Sequence, residues 1–186
     1  MNTAEVRRPW ILRRWPAAAG LVMAAFTSVG LVSGADVAAV VTASGFVYLG
    51  AAALRRRGAA WPVFAISFVL VGIGSQVETV NASWLMLAPA AVLAAYGVIR
   101  GALRPAWGLP LQSAAMIVLA AAALAALEVN RTAAGLLVAG GLLVHAGWDA
   151  YHHRVDRVVV RSMSEFCCVL DTVLAGIVLI VTFADR

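Results

Sequence analysis

Residues 111–127, LQSAAMIVLAAAALAAL, and 132–148, TAAGLLVAGGLLVHAGW, are two apolar runs joined by only four residues, Glu128-Val129-Asn130-Arg131. Neither run contains Asp, Glu, Lys or Arg. A hydrocarbon core about 30 Å thick takes about 20 helical residues, with about 17 as the shortest workable span. Both runs meet that length, and so short a link folds the second helix back against the first. The pair reads as a helical hairpin that crosses a bilayer.

Five further runs of the same kind flank it, at 16–33, 37–54, 61–77, 84–99 and 166–184, and no connector is long enough to hold a soluble domain. The expected fold is an all-α integral membrane protein, with seven transmembrane helices in one bundle over residues 16–186. An Arg- and Trp-rich segment, residues 1–15, is expected to lie in the interface before the first span. Composition agrees, since 63% of the 186 residues are hydrophobic and 12% charged. A soluble domain carries roughly 45–50% apolar and about 25% charged residues. A water-soluble enzyme is excluded. The net charge of +5 sits in short clusters between apolar runs, so no nucleic-acid partner is expected.

All fourteen basic residues are Arg. Arg7, Arg8, Arg13, Arg14, Arg55, Arg56, Arg57, Arg100, Arg104, Arg154, Arg157 and Arg161 fall on one side of the seven-span layout, leaving Arg131 and Arg186 opposite. By the positive-inside rule the N-terminus is expected in the cytoplasm and the C-terminus outside. Arg-only, Ala-rich usage suggests a bacterial cytoplasmic (inner) membrane. Residues 1–35 resemble a secretory signal that ends at Ser33-Gly34-Ala35. The apolar run is longer than the usual 7–15 residues of such signals, so an uncleaved first helix is expected.

Several chemistries are ruled out. Without Lys there is no retinal or pyridoxal Schiff base. All three histidines fall within nine residues, which prevents an intrachain bis-His haem. No nucleotide-binding glycine motif is present, and no H-E-x-x-H, since Asp149 stands where the second His would be. Adjacent Cys167 and Cys168 do not reach disulfide geometry and read as free thiols.

Ionisable residues inside a bilayer are costly and call for a reason. Asp36, Glu78, Glu128 and Asp185 fall at span ends, and the rest concentrate in residues 145–171, HAGWDAYHHRVDRVVVRSMSEFCCVLD. His145 lies one turn from Asp149, and Asp171 lies five residues past Phe166 on the returning helix. The two are expected at matching depth near the cytoplasmic ends of helices six and seven. His145, Asp149 and His152 share one helix face, Cys167 and Cys168 flank Asp171, and Ser162 with Glu165 has capping-box spacing.

This constellation supports a proton relay through His145 and Asp171. It equally supports a site for zinc or another divalent metal at His145, Asp149 and Asp171, with His152 as a further ligand. The function expected first is proton- or metal-linked transport of a small solute. A membrane-embedded metal-dependent hydrolase, with Asp149 or Glu165 as general base, is the alternative. The plainest reading is a structural or accessory subunit in which the pair only locks two helices. Expected partners are bilayer lipid, including anionic headgroups at His152, His153 and Arg154, and a second copy or another membrane protein. Tyr48, Ser44, Ser75 and Gln76 read as isolated polar residues without a role.

Overall fold

The computed structural model describes residues 14–77 and 79–184. Within them lie seven α-helices: α1 Trp15–Thr27, α2 Ala38–Ala53, α3 Ala60–Gln76, α4 Ala82–Ile99, α5 Leu109–Glu128, α6 Arg131–Val155 and α7 Arg161–Phe183. Short 3-10 turns, Gly34–Val37 and Arg57–Ala59, lead into α2 and α3. Six helical segments are long and apolar enough to cross a membrane: α4 to α7, and Gly34–Ala53 and Arg57–Gln76, which include those turns. Of the segment 1–15 only Arg14 and Trp15 are described; Arg7, Arg8, Arg13, Glu78, Asp185 and Arg186 lie outside the described residues.

The first expected span is shortened. α1 has 13 residues, about 20 Å at 1.5 Å per residue, which is less than a hydrocarbon core. The chain leaves the helix for local reasons. Ser28 and Thr27 turn their hydroxyls back onto the Ala25 and Met23 carbonyls, and Gly30 adopts φ 74°. Asp36 then gathers the Val32 and Ser33 amides in a capping box.

α2 runs through the centre, packed against α3, α4, α5 and α6. Its sequence, AAVVTASGFVYLGAAA, is largely small residues, which allow backbones to approach closely. At Gly45 a β-carbon would stand 2.9 Å from Met116 Cα of α5, closer than such contacts ever come. Thr42 bonds to Ser83 of α4 at 2.9 Å. α6 and α7 form the most extensive helix pair, and α1 lies along α7.

One end of the bundle collects the arginines. Arg57 pairs with Asp156 and donates to Val159 O. Trp61 donates its indole N–H to Ser162 Oγ at 3.1 Å, Arg14 pairs with Glu165 at 2.8 Å, and Arg157 lies over the Trp107 ring. Arg55, Arg56, Arg100 and Arg104 line grooves at this same end, and Arg154 shares one with Arg14 and Glu165. Arg131 lies at the other end, near Val181 O.

Both helices of the last hairpin extend beyond the apolar runs. α6 continues past Trp148 to Val155, because Asp149 and His152 turn inward while His153 and Arg154 stay at the rim. It stops where Asp156 takes a left-handed φ of 54° and returns its amide to His152 O. The expected Ser162–Glu165 capping box does not form. α7 starts at Arg161 on the backbone carbonyl of Val160, which accepts from Met163 and Ser164. Ser162 and Glu165 instead hold Trp61 and Arg14.

Candidate functional site

Two apolar clusters fill the interior. One, towards the arginine end, includes Phe46, Met86, Met163, Phe166 and Leu170; the other includes Val41, Leu119, Val138, Leu142, Leu174 and Val178. Where they meet on α6 and α7, between Leu142 and Ala146 and between Leu170 and Leu174, stand His145 and Asp171. With Asp149 they form a group whose ligand atoms all lie within 4.8 Å of one another. No side chain in the group is more than 3% exposed.

The geometry runs through one ring nitrogen. His145 Nδ1 lies 2.7 Å from Asp171 Oδ2 and 3.2 Å from Asp149 Oδ2. A single N–H cannot serve both, and the closer contact is the one to Asp171. Asp149 is held from the other side, where Tyr48 of α2 donates its hydroxyl to Oδ1 at 2.7 Å. The Tyr48 ring meets the His145 ring edge-on at 5.2 Å and the His152 ring at 5.0 Å. Among the described residues, three buried side-chain atoms have no hydrogen-bond partner: His145 Nε2, Asp149 Oδ2 and Asp171 Oδ1. Leaving a buried charged acceptor unpaired costs several times what a made hydrogen bond contributes, so such atoms call for a proton, water or ion.

The structure brings His145, Asp149 and Asp171 together, farther from the helix ends than the apolar runs suggested. His145 is ten residues from Val155, and Asp171 is ten from Arg161. Both therefore lie about 15 Å from the helix ends, near mid-length rather than at a mouth. The other candidates stand apart. His152 is buried beside Tyr48, but its Nδ1 faces Trp148 O at 3.0 Å and it is not in the metal-competent group. Glu165 is paired with Arg14 at the rim. Cys167 points its thiol at Met163 Sδ, and Cys168 lines the outer groove beside His153.

Two residues to which the sequence reading gave no part belong to the site's frame. Tyr48 is one. Gln112 of α5 is the other: fully buried, it donates to Trp107 O and accepts the Trp148 indole N–H at 3.3 Å. That bond ties the half-buried Trp148 of α6 to α5. The sequence reading of Tyr48 as an isolated polar residue without a role is corrected: it lies in a run of small residues about a hundred positions from Asp149, and only packing of α2 brings it there.

The donor set suits a metal. One imidazole and two carboxylates are ligand types that metal ions take. The group could hold a metal ion. No family model, no curated protein and no solved structure matches this chain.

Proposed function

We propose that this is a multi-pass protein of the bacterial inner membrane that moves a small cation in exchange for protons at His145, Asp149 and Asp171. The observation that carries the reading is the charge imbalance of the buried group: two carboxylates and one imidazole, with three polar atoms unpartnered. Dianionic, such a site is too costly to keep in a low-dielectric interior. Protons neutralise it in one state, on the imidazole and a carboxylate. A divalent cation neutralises it in the other.

The two occupants compete for the same lone pairs. In the proton-loaded state Nδ1 carries the hydrogen that bonds Asp171 Oδ2, and a cation coordinated at Nδ1 takes that position. Binding therefore releases protons, and exchange follows from one site without a second. Tyr48 keeps Asp149 oriented in both states, because its hydroxyl holds Oδ1 and leaves Oδ2 facing His145. A location near mid-length of two long helices is where transporters commonly bind their cargo. Support for a hydrolase is weaker, since Glu165 is committed to Arg14 and Asp149 to Tyr48.

The test is elemental mass spectrometry on detergent-purified protein beside Asp171→Ala, followed by flux into proteoliposomes. Near-stoichiometric zinc or manganese, absent from the variant, with cation uptake that alkalinises the lumen in proportion as protons leave, is the expected result. Bound metal without any flux would move the reading to a metal-dependent enzyme. Neither metal nor flux would leave a structural pair.

A further inference from the structure

At the arginine end, the C-termini of α2 and α4 and the start of α3 enclose a groove of about 1080 Å³ lined by Arg55, Arg56, Arg100, Tyr96 and Pro62. None of these three guanidinium groups has a carboxylate partner among the described residues. The acids at this end are already engaged, Asp156 by Arg57 and Arg161 and Glu165 by Arg14. Three uncompensated cations around one recess make a site for an anion, and guanidinium forks match phosphate oxygens in particular.

A second observation comes from the backbone. α2 and α4 end in the same manner: the Arg56 amide returns to Ala51 O and that of Arg55 to Ala52 O, while Ala102 returns to Gly97 O and Gly101 to Val98 O. This termination needs a left-handed residue, usually glycine. α4 supplies Gly101 at φ 73°, but α2 supplies Arg55 at φ 52°. An arginine is thus kept where glycine would relieve strain, and its head lines the groove. Strained positions of this kind cluster at binding sites.

The outer wall identifies the source of the anion. Ile99 is 83% exposed and Tyr96 44%, so the recess opens sideways over apolar surface at the helix ends. Acyl chains can lie along that surface while a headgroup enters the recess. We infer that Arg55, Arg56 and Arg100 bind the phosphodiester headgroup of an anionic phospholipid. The inference is independent of the cation site.

Native mass spectrometry and thermal unfolding of the whole protein in a neutral detergent test it, with phosphatidylglycerol, phosphatidylcholine or inorganic phosphate added. Phosphatidylglycerol is expected to bind saturably and raise the unfolding midpoint, with phosphatidylcholine doing neither. Arg55→Gly is expected to raise the lipid-free midpoint yet weaken phosphatidylglycerol binding about tenfold. Arg100→Gln should weaken it comparably, and Arg154→Gln, which removes the same charge outside the groove, should not. Equal responses to the two lipids, or unchanged phosphatidylglycerol binding in both groove variants, would overturn the site. An equal response to phosphate at the same concentration would overturn its assignment to lipid.

Discussion

Tyr48 makes the only hydrogen bond to Asp149 among the described residues, and both groups are buried. Replacing it with Phe keeps the ring contacts to His145 and His152 but strands a carboxylate oxygen. The expected cost is about 2 kcal/mol, the usual scale for losing a bond to a buried charged acceptor. Chemical unfolding in detergent would measure it. Tyr48→Phe combined with Asp149→Asn should be less destabilised than the sum of the two, because the pair is coupled; full additivity would show that the bond is not made. The sequence revealed half of this arrangement. His145, Asp149 and Asp171 were legible because spacing along one helix and a short return connection force them together. Tyr48 comes to them by packing of a helix far away in sequence, which no local spacing encodes.

Helix α2 shows how small residues act as structure. Where Gly45 faces the α5 backbone, a valine must push the two helices apart, and Gly45→Val is expected to lose about 3 kcal/mol by overpacking. Gly72 of α3 has nothing within 4 Å of its would-be β-carbon and is exposed. Gly72→Val should be close to neutral, and the difference between the two unfolding free energies checks the packing. Equal effects would mean that α2 and α5 are not in close contact. Helix ends were less legible than helix existence. Hydropathy stops at Trp148 because Asp149 and most residues after it are polar, yet the helix continues, since Asp149 and His152 face Tyr48 of α2 rather than water. Conversely, apolar residues 28–33 promised more helix than their hydroxyls and Gly30 permit.

For the molecule as a whole, one-sided arginines were the most informative feature of the sequence, and the fold gathers those that are described at one end. By the positive-inside rule we propose that this end faces the cytoplasm. Leu103→Cys lies between α4 and α5 at the arginine end, and Val129→Cys between α5 and α6 at the other; both positions are exposed. In a Cys168→Ser background, an impermeant maleimide applied to intact cells should label Val129→Cys and spare Leu103→Cys. The reverse pattern would invert the molecule. What composition could not convey is which helix is central, because all seven are apolar and only packing distinguishes α2 from its neighbours.

The central helix and its distant partners also impose an order on biosynthesis. α2 leaves the ribosome with Tyr48 and Thr42 already in its apolar length, while Asp149 is still about a hundred codons away. Thr42 finds Ser83 as soon as α4 follows. Tyr48 meets its acceptor only once the last hairpin, which carries His145, Asp149 and Asp171, has been made. The polar site therefore cannot be complete before the last two helices exist, because His145, Asp149 and Asp171 all lie on α6 and α7.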